Sequence, residues 1–391
     1  MGKFIYISTR RNLLYILNLI IFYYLRKVIL IIIEKNYYFN NSLIFTFLML
    51  FGEFCGGLSL HIYNLHTFKK DKKEEKKEKE VFGIKLIHKE EGIMRPQDSF
   101  TKIILLIFFA AFFDFVEFSF ATFYMPKFPV ISPTAEYRFG GIIIIISALL
   151  CYYNLKMKIK KHQFVSLIII LISLIIIITF EIIFRSKGAT TSNFLSSHII
   201  VIGYIIFVPF TDIIEKYLME FNFVSPFFIL LVESIFGFIL ISIYSIVINP
   251  FKDINRLYNE CSTGDFILLL FLLFLYCIFS GGTNIYKIIT NGSYSPMAKT
   301  LAVYILNPLI YTYYFIEETD FIVDKERNLL YFLINIIFAL ITSFFACVFD
   351  EFIVLKCCGL DYETHHEISR RASFVEFKGQ ILMNDLETSF D

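Results

Sequence analysis

Residues Phe164–Ile183 read FVSLIIILISLIIIITFEII, an almost unbroken run of Ile, Leu, Val and Phe. The hydrocarbon core of a bilayer is about 30 Å thick, and a helix needs roughly 20 apolar residues to cross it. Lipid offers the backbone no hydrogen-bond partner, so a run of this kind must be helical. Seven or more further stretches have the same character. They are expected near Leu13–Ile33, Ser42–Tyr63, Ile103–Tyr124, Thr134–Tyr153, His198–Ile214, Val224–Val247, Phe266–Ile289, Ser295–Phe315 and Leu329–Phe349. With Phe164–Phe184 this makes ten helices, the first interrupted by Arg26 and Lys27, the sixth short.

The whole chain agrees with that reading. Of its 391 residues 57% are hydrophobic and 18% charged, and the mean hydropathy is +0.66. A water-soluble domain this apolar would aggregate, so an all-α multi-pass membrane protein is expected. A formal net charge of +1 supplies no basic face for nucleic acid. The seven cysteines are scattered, with neither a disulfide framework nor zinc-ligand spacing. No metal, cofactor or cleavable signal peptide is expected. Protease, hydrolase, P-loop and dinucleotide-binding motifs are absent from the sequence, so no enzyme is expected.

Positive charge alternates between the connecting segments. Lys3, Arg10 and Arg11 lie before the first helix, and a Lys/Glu run falls within 66–99. Lys156, Lys158, Lys160 and Lys161 follow the fourth helix, and Lys356, Arg370 and Arg371 follow the last. The positive-inside rule puts both termini in the cytosol, which requires an even helix count. The Lys/Glu run is expected to be a solvated loop without regular structure. The layout is a cytosolic segment 1–12, five helices in 13–184, five more in 198–352 and a cytosolic tail 353–391. Two halves of odd helix number suggest inverted repeats, with a binding site where they meet.

Charges inside these spans need a reason, since each costs roughly 2.5–3.5 kcal/mol at the bilayer centre. Glu53, Asp114, Glu117, Arg138, Glu233 and Lys299 are such residues. Asp114 and Glu117 are three apart and share a helix face, which must turn away from lipid. They either pair with Arg138 or Lys299 or carry protons. Glu53 lies between Gly52 and Gly56, and Glu233 has Gly237 one turn later; both suit either close helix packing or coupling. Arg138 can grip a phosphate or carboxylate bidentately, or anchor a helix end. Lys299 lies one turn past Pro296, where a helix N-terminus and an ammonium together can hold an anion; the alternative is snorkelling. Asn284 and Asn307 either read a solute or bond across helices. Gly281-Gly282 lets a backbone or ligand approach, and Pro308 should kink the ninth helix. Glu215 and Lys216 read as a gate or cap ending the sixth helix. In the tail, Cys357 and Cys358 sit where palmitoylation occurs, and Ser373 follows two arginines as basophilic kinases prefer. Unmodified thiols and a chance match are the plainer alternatives.

Short stretches resemble the drug/metabolite transporter superfamily, in particular the solute carrier 35 branch and its F6-like members. Phe51-Gly52-Glu53-Phe54 is similar to that group's "LGEF", and Asp114 falls where the third helix has an aspartate. Tyr137-Arg138-Phe139-Gly140 resembles "LRG", Glu215-Lys216-Tyr217 resembles "EEK", and Glu233–Gly237 resembles "EGLFG". Tyr294–Lys299 looks like the start of the ninth helix, and Cys357–Asp361 looks like the tail. The resemblance spans Phe51 to Asp361, with Ser234 for a glycine and Tyr137 for a leucine. It implies ten helices in two inverted five-helix repeats, alternating access, and an endomembrane such as Golgi, vacuole or lysosome. The expected activity is transport of a small polar, anionic solute of the nucleotide-sugar or metabolite class, held by Arg138, Lys299, Tyr137, Asn284 and Asn307. A non-transporting scaffold or receptor-like protein with the same frame is the alternative. An ion channel would need rings of like charge, which the mixed signs do not suggest. The lipid bilayer is the other expected partner, and a homodimer is left open.

Overall fold

Ten helices are found among the described residues of the computed structural model, which are 5–7, 13–37, 39, 41–71, 78–81, 84–89, 92–94, 98–119, 140–185, 191–247, 262–305, 325–365 and 367–368. They are α1 (Leu13–Tyr37), α2 (Ser42–Asp71), α3 (Phe100–Ser119), α4 (Gly141–Asn154), α5 (Lys161–Arg185), α6 (Thr191–Phe221), α7 (Pro226–Val247), α8 (Thr263–Ser293), α9 (Pro296–Tyr304) and α10 (Lys325–Phe349). Each overlaps one helix expected from the sequence. Six of them, α1, α2, α5, α7, α8 and α10, are long and apolar enough to cross a membrane. The chain is an integral, multi-pass, helical membrane protein. Helices α3 and α6 are also long, and carry ionisable residues: Lys102, Asp114 and Glu117 on α3, and Asp212, Glu215, Lys216 and Glu220 on α6.

Outward faces are as apolar as the core. Leu171, Ile172 and Ile175 on α5 and Leu270, Phe271 and Phe274 on α8 are all exposed. Apolar surface this extensive needs lipid to cover it. Between helices, small residues set the closest approaches. A Cβ on Gly281 of α8 would lie 2.5 Å from the Gly52 carbonyl carbon of α2, so the two backbones touch there. Gly56 faces the side chain of Ile285, and Gly282 faces Phe22 of α1. The Gly52-xxx-Gly56 spacing thus seats α2 on α8.

Most of the packing partners follow a pattern; the contacts of α6 with α7, α8 and α9 and of α8 with α7 and α9 fall outside it. Helix α2 packs on α7, α5 on α10 and α4 on α9. Helix α1 packs on α8 as α6 packs on α3, and α2 on α8 as α7 on α3. The pairs α4–α6 and α4–α5 have counterparts in α9–α1 and α9–α10. Every one of these pairs maps onto itself or another when five is added to, or taken from, each helix number. The α2–α7 contact is reciprocal. A Cβ on Gly57 would lie 3.2 Å from the backbone nitrogen of Leu231, and one on Gly237 would lie 2.5 Å from Cδ2 of Leu50. Later residues of α2 meet earlier residues of α7, so the two helices are antiparallel.

Two helices and one connecting segment differ clearly from expectation. Helix α6 is not short: it runs for 31 residues, with Pro209 inside it. Proline is tolerated within membrane helices because neighbours satisfy the backbone groups that it frees. Helix α2 extends to Asp71. Beyond it, the Lys/Glu-rich segment is not without regular structure, since β2 (Glu78–Val81), β3 (Ile84–Lys89) and β4 (Gly92–Met94) form an antiparallel meander. Its register sets Glu80 across from Lys85, the opposite-sign pairing that favours such a ladder. A second small sheet joins β1 (Ile5–Ile7) to β5 (Ile353–Leu355), pairing Tyr6 with Val354, so the start of the chain and the end of α10 lie together.

Candidate functional site

Helices α2, α3 and α7 enclose a pocket at the meeting of the two halves. It is lined by Thr46, Met49, Leu50 and Glu53 from α2, by Ala111, Asp114 and Phe115 from α3, and by Glu233 and Gly237 from α7. The pocket is narrow, with central room for about one water molecule. Three carboxylates face it, and among the described residues no lysine or arginine lines it. Glu53 is buried and accepts a hydrogen bond from Nδ2 of Asn284 on α8, 3.1 Å from Oε2. Glu233 is also buried, and its Oε1 has no hydrogen-bond partner among the described residues. Asp114 is half-buried. Glu117, one turn further along α3, lies within electrostatic range of Lys287 and Lys299.

A second polar cluster joins α6, α8 and α9. Ser295 caps the N-terminus of α9, its Oγ accepting from the Ala298 N–H at 3.0 Å, and Pro296 follows in the first turn. This start orients Lys299 inward, where its ammonium forms an ion pair with Asp212 of α6. Both side chains are buried. Asn291 of α8 donates to the Asp212 carbonyl and to Oε2 of Glu215, each at 2.8 Å. The ammonium expected to hold an anion is therefore already neutralised by Asp212. Glu215 does not end α6; it is buried within it, six residues before Phe221. Lys216 does act as a cap, but of α8, donating to the carbonyls of Gly292 (3.0 Å) and Tyr294 (3.2 Å) while pairing with Glu220 at 2.9 Å. A cation there suits the negative end of the helix.

Two charged clusters lie outside the spans. Before α3, Asp98 accepts from Lys102 (2.5 Å), the Tyr217 hydroxyl (2.9 Å) and Asn222 Nδ2 (3.1 Å). Burial pushes the Asp98 carboxyl up, but these donors outweigh it and hold the group below its ordinary value. After α10, Glu351 accepts from Lys160 Nζ at 2.8 Å and from the His365 N–H at 2.7 Å. Here too burial acts upward and is overcome, and the Glu351 carboxyl lies below 4.5. Lys161 adds two tail contacts, its N–H to Glu363 at 2.8 Å and its Nζ to the Cys358 carbonyl at 3.0 Å.

Of the residues singled out from the sequence, Glu53, Asp114, Glu233 and Asn284 are brought together at the pocket. Lys299, Glu215 and Lys216 belong to the α6–α8–α9 cluster. Cys357 is half-buried and Cys358 exposed, both free thiols in the turn after β5. Tyr137, Arg138, Asn307, Pro308 and Ser373 lie outside the described residues. Sequence reasoning missed Asp212, Asn291 and Lys287. A signal was present, since Ser280, Asn284, Lys287 and Asn291 are spaced four, three and four residues apart and form one polar stripe along α8. Asp212 and Glu215 likewise share a face of α6.

The chain matches no family model and no curated protein.

Proposed function

We propose that this protein is a secondary transporter that moves a small polar organic solute by alternating access. One observation carries the proposal: three carboxylates line a pocket inside a membrane-spanning bundle, and Glu233 keeps an oxygen without a protein partner. Ionisable groups this deep mark solute or ion pathways more often than packing devices. The pocket draws α2 and α3 from one half and α7 from the other, which is where a transporter of two inverted five-helix repeats binds its solute. The exchange of packing partners on adding five, the antiparallel α2–α7 pair and the recurrence of a glutamate four residues before a glycine (Glu53…Gly57, Glu233…Gly237) all support such repeats. So does the resemblance to the solute carrier 35 branch. The joining of β1 to β5 suits two termini on one face, and the Lys-rich ends favour the cytosol for that face. The narrowness of the pocket fits a closed state between the two open ones.

The lining favours positive charge on the solute over the anion expected from Arg138 and Lys299. Lys299 is bound to Asp212, and the pocket offers Glu53, Asp114 and Glu233. A scaffold retaining this frame would be expected to pair or lose such carboxylates. A thermal-shift panel on the detergent-purified protein tests the reading, with organic amines, amino acids, nucleotide sugars and phosphorylated sugars. A ligand at a hundred times its dissociation constant stabilises by about 2.7 kcal/mol. The expected result is a shift with amines that is lost in Glu233→Gln. Stabilisation by anions alone would reverse the sign of the solute, and a shift untouched by Glu233→Gln and Glu53→Gln would move the site elsewhere.

A further inference from the structure

Two carboxylates stand in corresponding places on the two helices that cross at the pocket. Glu53 precedes Gly57 by four residues on α2, and Glu233 precedes Gly237 by four on α7. The reciprocal glycine contacts put the two glutamates at one level of an antiparallel pair. Both are buried and both face the same narrow pocket.

Their surroundings are unequal. Glu53 has a donor in Asn284, while Oε1 of Glu233 has none. Around Glu53 stand Asp114 from α3, Glu215 from α6 and, from α8, Asn284 and Lys287. Around Glu233 stand Glu215, Glu53, Asp114 and Lys299 of α9. The two lysines are shared with Asp212 and Glu117. Two like charges in one water-poor site cannot both ionise freely. Among the described residues, no three His, Cys, Asp or Glu side chains converge closely enough to hold a metal ion. A proton is the ion that needs only one oxygen and no coordination shell.

We propose that Glu53 and Glu233 form a proton-exchanging pair which holds one proton when the pocket is empty and releases it when a monocation binds between them. The exchange rests on the transporter reading; the proton site itself does not. Its charges balance. The pair with one proton carries one negative charge, and two ionised carboxylates around a monocation carry the same. The moving helices therefore present equal charge in both half-cycles, and transport is an exchange of one proton for one cationic solute. Glu233, whose oxygen has no donor, is where the proton rests; Glu53, bonded to Asn284, is the ionised partner.

Infrared difference spectroscopy of the protein in lipid, titrated from pH 5 to pH 9, tests this without any solute. A protonated carboxyl gives a C=O stretch that the carboxylate lacks. The expected result is one such band present at pH 7 and lost on alkalisation, absent in Glu233→Gln and retained in Glu215→Gln. Glutamine keeps the shape and removes the charge, and the wild-type titration needs no variant. No titrating band in the wild type, or a band that survives in both Glu233→Gln and Glu53→Gln, overturns the proton site. A second arm separates it from the reading beneath. In proteoliposomes, amine uptake should rise severalfold with an outward proton gradient and lose that dependence in Glu233→Gln. A band without any uptake keeps the proton site and sinks the transporter; uptake indifferent to the gradient, with no band, does the reverse.

Discussion

The pocket between α2, α3 and α7 and the cluster joining α6, α8 and α9 both bury carboxylates inside the bundle, but they satisfy them differently. Asp212 has the Lys299 ammonium and Glu215 has the Asn291 amide, so the second cluster carries its own cation, although Oδ2 of Asp212 and Oδ1 of Asn291 lack a hydrogen-bond partner among the described residues. In the pocket, Glu53 has one amide donor and Glu233 leaves an oxygen bare. Each cluster uses side chains from both halves of the chain. The contrast suggests a division of labour. A cluster neutralised by its own cation ties helices together, whereas carboxylates without a paired cation keep binding capacity that a solute or proton can use. Isolated buried charge is expensive, so it persists where something other than stability selects it.

The largest test of that contrast is on the side that holds its own cation. Lys299→Ala leaves Asp212 buried without a cation, and breaking a buried pair from one side costs about 3–5 kcal/mol. Loss of stability of that size is expected in urea or thermal unfolding followed by helical circular dichroism in detergent. The double variant Lys299→Met with Asp212→Leu removes both charges and should recover most of the loss. In the same assay Glu233→Gln abandons no partner, and little change is expected. If Glu233→Gln unfolds the protein as readily as Lys299→Ala, the pocket is structural and the contrast collapses.

An intermediate effect comes from making Glu53 resemble Glu233. Asn284→Ala removes the amide that donates to Glu53 across 231 residues of sequence. A buried acceptor left without its donor costs about 1–3 kcal/mol. The same unfolding measurement should show that loss. The paired infrared experiment should show a second protonated carboxyl, since the donor that favours the charged form of Glu53 is gone. A variant as stable as the wild type would mean that water replaces Asn284.

These partnerships explain how much of the molecule was legible beforehand. Positions of the spans could be read from apolar runs alone, because the length needed to cross lipid and the demand for helix are both local. The boundaries of α6 could not. Glu215 and Lys216 look like an ending, but the helix runs on past them, with α8 and α9 supplying donors from distant sequence to Asp212 and Glu215. Glu53, Asp114 and Glu233 stood out singly as charges in apolar segments. Which would pair and which would remain bare depended on Asn284 and on the register of α2 against α7. Lys299 illustrates the same limit. Its helix start was legible from Ser295 and Pro296, but its partner, Asp212, was overlooked until the fold brought the two together.

A third group of charges lies outside the spans and should respond least. Glu351 holds the tail against the segment between α4 and α5, accepting from Lys160 and the His365 N–H, with His162 Nε2 3.5 Å away. Lys160 is part-exposed, so solvent screens the pair and its worth is below that of Lys299–Asp212. The sign of its pH dependence follows from the depressed carboxyl. In the folded chain Glu351 titrates below its ordinary 4.5, so its contribution is complete above that value and is lost as pH falls through the lower one. Acid also charges His162 beside a neutral carboxyl, which adds repulsion from Lys160. A nitroxide pair on the exposed Cys358 and on Lys156→Cys, with the other cysteines replaced, reports the separation of tail and loop. Their distance distribution should be narrow at neutral pH and broaden only in acid, below the ordinary carboxylate value, at a free-energy cost of about 1 kcal/mol. Glu351→Gln should broaden it at pH 7 to a similar extent. A distribution that stays narrow in acid and in Glu351→Gln would show that the Lys161 contacts to Glu363 and the Cys358 carbonyl hold the tail by themselves.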